Sequence, residues 1–451
     1  MKAFGKLTNS ALFEIAQEKS ATFDSMTAKI SRDEFLNGGK IGGVDASTIS
    51  AIKNEFLKTV ITWALGGVRG HRVKNALEAG GVGVRFYDEY TGAKQIMFVN
   101  GRKPVNPQFL GLNDGDSLDQ DEVRKPTVYD RFYCKNFNYS NWITIQPIMM
   151  KDAFNGPDGY GMYDVISWIL ADLQNQYTKQ AYLAEKEVIN YALNNNVTND
   201  KLQPSQIVEV EFADIDNPTK EEMTNLINVL KDTKDAITVE DTGAFNALGF
   251  CDIQEVENLR FIARPNYINK IETALYANAF NKDDLKTGIA MVKINNFGGL
   301  EPKDANNGAL QMVYYKNGDV AGYIDANATV NGPAEFKNGQ WVVNITSAGV
   351  TADTTFATEP DHWEDPNANV IGIVADYRFL EIDESNPYIL RVHQNDRGLY
   401  DNYFAHKVGD GIHYRSDRNF VAIKAKQAEA PAEENNAEVE DAPKSKRKAT
   451  K

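Results

Sequence analysis

The chain of 451 residues is 42% hydrophobic and carries a formal net charge of -15, with 63 acidic and 48 basic side chains. This hydrophobic content is typical of a folded globular protein and excludes a chain that is disordered throughout. The negative charge excludes a protein that grips duplex nucleic acid over its whole surface, because the phosphates would be repelled.

The cysteines and the N-terminal residues indicate the compartment. Cys134 and Cys251 are far apart and form neither a disulfide framework nor a zinc-binding pattern, which is consistent with folding in a reducing cytoplasm. Residues 1–20 are amphipathic and lack the apolar core of a signal peptide. No run reaches about 18 consecutive apolar residues, so no membrane span is predicted.

Residues 1–76 are predicted to form an N-terminal arm. Helical spacing runs from Ala11 to Glu18 and from Ser47 to Leu65, and glycine pairs at 38–39 and 42–43 loosen the backbone between them. Short helices joined by glycines bury little apolar surface by themselves. The arm is therefore expected to lie on a surface, either its own body or a neighbouring subunit.

Residues 77–150 are predicted to form an extended excursion of strands. Two β-prone runs, 82–86 and 95–99, flank Tyr90-Thr91-Gly92 and predict a hairpin. The run from Val128 to Gln146 is rich in β-formers. Its aromatic content is high for a solvated segment, which indicates an interaction surface.

The segment from Met162 to Asn194 contains neither Gly nor Pro, the residues that most often interrupt a helix. At 1.5 Å per residue the predicted helix is roughly 50 Å long. A long core helix in a large enzyme is one interpretation, and a spine that carries an elongated subunit is the other; the rest of the chain favours the spine. One apolar stripe follows three- and four-residue steps, and it consists of Met162, Val165, Ile169, Leu173, Tyr177, Ala181, Ala184, Val188 and Tyr191.

Residues 151–301 are predicted to hold this spine and the first part of a compact α/β or α+β body. Thr219 is placed to cap a helix from Lys220 to Asp235. The elements that follow alternate between strand and helix, at 259–263, 265–280 and 289–294.

Residues 302–369 are predicted to form an inserted small β domain. Their short β-prone runs are separated by Asn-Gly pairs, the strongest short hairpin signal, at 307–308, 317–318, 331–332 and 338–339. Strands resume in residues 370–424. Residues 425–451 are rich in Ala, Glu, Pro and Asn and end in a Lys/Arg run, which predicts a disordered tail.

Chemical motifs are weak. Asp114-Gly115-Asp116 begins an acidic loop, but Leu118 supplies no oxygen ligand and Asp119 replaces the glycine that a calcium loop requires. The five histidines show no paired metal-binding spacing. His362 is interpreted as a loop residue, and His393, His406 and His413 are interpreted as core or interface residues. We therefore predict no catalytic residue, no metal site and no cofactor.

Three stretches carry a resemblance to a known family. They are Met150–Phe154 followed by the long helix, Ala277–Asn281 with Asp283-Asp284-Leu285, and Arg397-Gly398-Leu399-Tyr400 with Asn402-Tyr403-Phe404 and Ser416–Ile423. In these stretches and in the order of its elements, the chain resembles the bacteriophage major capsid proteins of the phi-29-like short-tailed group. The match spans residues 77–300 and 370–424.

The resemblance implies an α+β chain with the Hong Kong 97-type capsid fold. Its parts would be the N-terminal arm, an extended loop with peripheral strands, the spine helix, an axial domain and return strands. The insertion at 302–369 has no counterpart that can be aligned. We expect the short tail in the place of the C-terminal Ig-like domain that some relatives carry.

The resemblance also implies a function without catalysis. A major capsid protein of a tailed double-stranded DNA phage assembles with itself, as hexamers and pentamers, into the icosahedral shell that encloses the genome. The expected partners are a separate scaffolding protein and a portal protein, with DNA enclosed but not bound by sequence and with no membrane. The expected location is the virion capsid, after assembly in the cytoplasm of the bacterial host.

The predicted contacts between subunits lie on the excursion. Aromatic side chains would bury apolar area, at roughly 25 cal/mol per Å², and basic side chains would set the register against acidic neighbours. The residues predicted for this role are Arg85, Arg102, Lys103, Arg124, Lys125, Tyr129, Phe132, Phe137 and Trp142.

Two other classes of protein stay open at this point. The β-rich segment 302–369 is also compatible with a carbohydrate-binding or adhesive protein of a surface layer, and the many carboxylates are compatible with a glycosidase. The lack of a signal peptide weakens the first alternative, and the lack of a convergent catalytic motif weakens the second.

Overall fold

The computed structural model describes most of the chain. The described residues are 7–28, 30–36, 46–67, 74–86, 94–100, 127–133, 136–145, 156–194, 202–215, 217–239, 243–249, 254–277, 288–316, 320–384, 389–395 and 400–427.

Helices and strands both contribute substantially, as the predicted α+β class requires. Among the described residues the α-helices are α1 Asn9–Lys19, α2 Ala21–Thr27, α3 Arg32–Leu36, α4 Ala46–Gly67, α5 Ala76–Ala79, α6 Gly161–Asn194, α7 Lys220–Val239 and α8 Pro265–Ala277. The first strands are β1 Val84–Phe86, β2 Lys94–Asn100, β3 Thr127–Tyr133, β4 Phe137–Ile145, β5 Ile207–Phe212, β6 Leu259–Ala263 and β7 Ala290–Lys293. The next are β8 Glu301–Lys303, β9 Leu310–Tyr314, β10 Val320–Asp325, β11 Thr329–Val330, β12 Glu335–Lys337, β13 Gln340–Ser347, β14 Val350–Thr354 and β15 His362–Glu364. The last are β16 Val370–Asp376, β17 Leu380–Asp383, β18 Ile389–Asn395, β19 Tyr400–Tyr414 and β20 Phe420–Gln427.

The predicted spine is the 34-residue helix α6. Five residues of its predicted apolar stripe are buried, and Val165, Ala184 and Val188 are half-buried; the buried five are Met162, Ile169, Leu173, Tyr177 and Ala181. The last predicted member, Tyr191, is 48% exposed, and Ala192 and Leu193 are buried instead. The neighbours of the helix change along its length, from α4 and the peripheral strands to the strands of a second core. The buried face of the last turns is therefore set by a different partner from that of the first turns.

The N-terminal arm packs on its own body. Helices α1 to α4 share one core with α6 and with the inward side chains of β4, β18 and β19. Four phenylalanines of the arm form its centre, with ring centroids 5.3 to 6.0 Å apart: Phe13, Phe23, Phe35 and Phe56. This arrangement buries the apolar surface that the short helices could not bury by themselves.

The peripheral sheet has the strand order β1-β17-β19-β18, with β4 on the other side of β19. The hairpin predicted around Tyr90-Thr91-Gly92 is wrong, because β1 pairs in parallel with β17 and β2 pairs with β3. Strands β2 and β3 form a separate two-stranded antiparallel ribbon. The β propensity of β1 and β2 was evident in the sequence, but neither strand pairs with the other, and the partner of β1 lies about 300 residues further along the chain.

A second sheet has the order β5-β20-β16-β6-β7 and shares a core with α7 and α8. The predicted cap of α7 is present: the Glu222 amide donates to the Thr219 hydroxyl at 3.3 Å, and the Thr219 amide donates to the Glu222 carboxylate at 2.6 Å. The predicted tail begins too early, because Ala425 to Gln427 continue β20 and pair with β5. The remaining tail lies outside the described residues.

The segment between Glu301 and Glu364 has a core of its own. Its hairpin turn at Asn338-Gly339 uses positive φ angles of 52° and 83°, which explains the Asn-Gly pair. The buried core residues are Val313, Ala321, Ile324, Ala328, Ala334, Val343 and Ile345. The two ends meet where β8 pairs with β15, so that Glu301 lies opposite Glu364.

We predict that replacing residues 302–363 by a two-residue Gly-Ser bridge leaves a folded subunit. Paired strand residues are about 5 Å apart, so a tight turn can join the two ends. The free energy of unfolding of the remaining body, measured in urea, is expected to change by less than about 1 kcal/mol. The reason is that the segment and the body have separate cores, and distant sites contribute additively to stability. Circular dichroism and solubility measure the outcome, and insoluble protein with several bridge designs would show that the segment supports the body.

Candidate functional site

The outer side of the peripheral sheet carries aromatic rings. Trp142 on β4 lies opposite Phe404 on β19, with ring centroids 6.2 Å apart. His406 stacks on Phe404 with its ring plane within 3°, and its Nδ1 atom is 2.9 Å from the Ser140 hydroxyl. Trp142 is 52% exposed. We call Trp142, Phe404 and His406 the aromatic face.

The inner side of the same strands is buried. Successive side chains of a strand point to opposite faces, so Ile143 and Tyr403 lie in the core that contains α4 and α6. The Tyr403 hydroxyl donates to the Asn54 side-chain oxygen of α4 at 3.0 Å. The aromatic face therefore lies on a buried layer that joins the sheet to α4.

A buried hydroxyl joins β4 to the spine. Tyr139 of β4 donates to the Leu173 carbonyl of α6 at 3.1 Å. Burial, the largest cause, raises the pKa of Tyr139 to about 12. The hydroxyl keeps its proton at neutral pH and remains a donor, because its pKa lies above the solution pH.

Arg85 of β1 is the centre of a buried ion-pair network. Its Nη2 atom is 2.6 Å from Glu185 of α6 and its Nη1 atom is 3.3 Å from Glu384, which follows β17. The side chains of Arg85, Glu185 and Glu384 are 9%, 0% and 9% exposed. Asn75 donates to the second oxygen of Glu185 at 3.0 Å. The network fixes the spine to the peripheral sheet.

A second branch of the network runs through Lys407 of β19. Its Nζ atom is 3.5 Å from Glu384 and 3.0 Å from Asp410. The same ammonium donates to the Tyr177 hydroxyl of α6 at 2.9 Å, and that hydroxyl donates to Asp410 at 2.7 Å. Buried charges need such partners, because an unpaired one carries a large desolvation penalty.

The nine predicted contact residues have different positions. Trp142 lies on the aromatic face, Phe137 packs on Tyr177 with centroids 6.2 Å apart, and Arg85 binds carboxylates of its own chain. Tyr129 and Phe132 lie on β3, whose side chains are outside the described structure, as are residues Arg102, Lys103, Arg124 and Lys125. Contact between subunits remains a prediction for all nine.

The sequence analysis did not select Phe404 as a contact residue, and it did not predict which carboxylates pair with Arg85. The alternation of β19 was a usable signal, since Tyr403, Ala405 and Lys407 are buried while the residues between them are not. The partners of Arg85 carried no local signal, because Glu185 is 100 positions away.

The described residues hold neither a metal centre nor a membrane helix. Within them, no three His, Cys, Asp or Glu side chains are arranged to hold a metal ion. No helix in that part of the chain is both long and apolar enough to cross a membrane.

A sheet that buries one side on a long helix and exposes a tryptophan beside half-buried aromatic rings on the other is typical of a structural subunit that associates with other subunits. A family model, the Phi29-like phage major capsid protein, matches residues 88–424, more than half of the chain. The chain therefore belongs to the family of Phi29-like phage major capsid proteins. No curated protein sequence matches it.

Solved structures of phage particles are similar to the chain in fold. The mature capsid of bacteriophage PhiM1 has a TM-score of 0.41 at 10% identity, over 78% of this chain and 88% of that chain. The capsid of Staphylococcus phage Andhra has a TM-score of 0.47 at 12% identity, over 75% of this chain and 82% of that chain. The structure of the head fiber and inner core protein gp22 of native bacteriophage P68 has a TM-score of 0.45 at 9% identity, over 78% of this chain and 85% of that chain. The assignment itself rests on the family match.

The family match confirms the resemblance found in the sequence. With it, the α+β fold of the Hong Kong 97 type and the function of a phage major capsid protein are confirmed. The protein is a structural component of the virion. The surface-layer alternative receives no support.

Proposed function

We propose that this subunit assembles with copies of itself, as hexamers and pentamers, into a closed shell around double-stranded DNA, and that the aromatic face is one of its contacts. The observation that carries the proposal is the 52% exposure of Trp142 on a sheet whose other side is buried at Ile143 and Tyr403. Tryptophan is among the residues most enriched in the buried centres of protein interfaces. A neighbouring subunit would cover the ring.

The ribbon of β2 and β3 supports the same proposal. Among the described strands, these two pair only with each other. A two-stranded ribbon is marginally stable in water and needs a surface to pack on. The predicted contacts Tyr129 and Phe132 lie on this ribbon, which would find its surface on a neighbouring subunit.

The remaining partners follow from the proposed shell. A separate scaffolding protein would set its curvature, a portal protein would occupy one vertex, and assembly would take place in the bacterial cytoplasm. The DNA would be enclosed and not recognised by sequence. The subunit would act mechanically and not as an enzyme.

Replacing Trp142 with Ala is expected to reduce the yield of closed shells while the folded subunit stays nearly as stable. Substitutions at exposed positions change the free energy of unfolding by roughly 0.5 kcal/mol. An interface tryptophan contributes about 2 kcal/mol or more to one contact, and a shell repeats that contact at every subunit. Negative-stain microscopy and sedimentation measure the shells, and urea unfolding measures the subunit.

The matched control is Ile143→Ala, on the next residue of the same strand. Ile143 is 6% exposed on the buried side, so its truncation is expected to lower subunit stability by about 2–5 kcal/mol. Phe132→Ala on the ribbon is expected to behave like Trp142→Ala. Normal shells together with a strongly destabilised subunit for Trp142→Ala would place this ring in the subunit core and refute the proposal.

A further inference from the structure

A groove runs along the open edge of the peripheral sheet. Strand β18 pairs with β19 on one side, and no described strand pairs with its other side. The groove has a volume of about 550 Å³ and lies between this edge and helices α2 and α4. The four consecutive residues 390–393 of β18 line it. An open strand edge presents unpaired backbone donors and acceptors, to which an extended segment can add.

The groove is more basic than the protein as a whole. Lys58, Arg391 and His393 line it, and Glu55 is its one carboxylate among the described lining residues. Glu55 is already paired with Lys58, at 3.6 Å. Arg391 is exposed and forms no ion pair with a described residue. In a chain with a net charge of -15, this local excess of cations favours an acidic ligand.

One polar group in the groove wall also lacks a partner. The Asn54 side-chain oxygen accepts from Tyr403, but the Asn54 Nδ2 atom has no hydrogen-bond partner among the described residues. Buried amide nitrogens are nearly always hydrogen-bonded. A carboxylate or a backbone carbonyl entering the groove beside Asn54 would supply the missing acceptor after a small side-chain movement.

We infer that the groove binds the acidic part of the chain's own C-terminal tail, residues 429–441, as a strand added along β18. This segment contains six carboxylates and no basic residue: Glu429, Glu433, Glu434, Glu438, Glu440 and Asp441. It follows Gln427, the last residue of β20. The tail of 24 residues after Gln427 can extend over about 80 Å, so length does not limit its reach.

The tail fits the groove better than the chain's other acidic segment. Residues 114–122 are also acidic, but they belong to a span joined at both ends to the paired strands β2 and β3. The tail is joined to a described strand at Gln427, and only one of its ends is tied to the paired strands of the body, so a single backbone enters the groove when the tail binds. Occupation by the tail would also cover an edge that is otherwise open to aggregation.

Disulfide trapping in the full-length free subunit tests the inference. Both native cysteines are replaced by serine, His393→Cys labels the groove, and Val439→Cys labels the acidic segment. Ala449→Cys, beyond the basic run of the tail, is the matched control. We expect the Val439→Cys chain to form its disulfide at least about fivefold faster than the control at low salt. The difference should shrink in high salt, because the Debye length is then only about 3 Å at 1 M.

Charge reversal decides between the tail and other occupants. Lys58→Glu with Arg391→Glu is expected to abolish the difference in disulfide rate between Val439→Cys and Ala449→Cys. Changing the four glutamates 433, 434, 438 and 440 to Lys in that background is expected to restore this difference. Circular dichroism verifies that each variant is folded. Equal trapping of both tail positions, or restoration by reversing the charges of residues 114–122 instead, would overturn the inference. These measurements use the free subunit, so they do not depend on shell assembly.

Discussion

Replacing Arg85 with Ala is expected to lower the free energy of unfolding of the subunit by about 3–5 kcal/mol. The reason is Glu185, whose side chain is 0% exposed and whose oxygen lies 2.6 Å from the guanidinium. Without the guanidinium, this buried carboxylate would lose the cation that lies closest to it. Urea unfolding followed by circular dichroism measures the change.

Two variants sharpen this test. Arg32→Ala removes an arginine that pairs with Glu14 at the surface, where the Arg32 and Glu14 side chains are 44% and 65% exposed. This substitution is expected to change the free energy of unfolding by less than about 1 kcal/mol. Arg85→Met combined with Glu185→Gln removes both charges of the shortest pair and should recover part of the loss, because the most deeply buried carboxylate is removed together with its cation. Equal effects of Arg85→Ala and Arg32→Ala would show that the network contributes little.

Replacing Gly298 with Ala is expected to destabilise the subunit by about 2–5 kcal/mol. Gly298 has a φ of +84°, and an added Cβ atom would lie 2.5 Å from the Lys186 carbonyl of α6. Both the positive φ and the overlap with helix backbone oppose a side chain. The expected result is a lower urea midpoint, with loss of the packing between the end of the spine and this turn.

Gly339 supplies a matched control for Gly298. Its φ is +83°, but a Cβ atom there would meet nothing within 4 Å. Gly339→Ala is therefore expected to cost only the left-handed strain of about 1–2 kcal/mol. The difference in lost stability between Gly298→Ala and Gly339→Ala measures the effect of the close approach to α6. A difference near zero would show that the turn at Gly298 moves away from the helix without cost.

The same turn belongs to a polar junction at the base of the inserted segment. Asn194 donates to Asn367 at 2.8 Å, and Asn367 donates to Asn190 at 2.8 Å. Gly299 donates to Glu187 at 2.8 Å. These bonds join the last turns of the spine to the chain just before Glu301 and just after Glu364, where the two ends of the segment with its own core meet. They explain how a segment with its own core is held at a defined place on the body.

The aromatic face, the buried charges and the spine form one mechanical unit. Arg85 and Lys407 bind carboxylates and hydroxyls from both α6 and the peripheral strands. The interaction surface proposed on β4 and β19 would need such support, since a contact between subunits would transmit force to the strand that carries it. This arrangement is consistent with the role of a shell protein.

Local sequence by itself determined several elements of this protein. The spine was predictable because a run without Gly or Pro and with helical apolar spacing has few alternatives. The cap at Thr219 and the Asn338-Gly339 turn were predictable because their hydrogen bonds and φ angles involve neighbouring residues. The family resemblance was also carried by short local stretches.

Tertiary structure alone decided which strands pair, which side of β4 faces outward and what Arg85 binds. β1 pairs with β17, and Arg85 meets Glu384 at a separation of 299 positions. Strand pairing and charge pairing depend on which distant segments meet in space, and local propensity does not encode that meeting. The aromatic residue Trp142 was visible in the sequence, but its exposure follows from the register of β4 against β19, where a shift by one residue would have buried it.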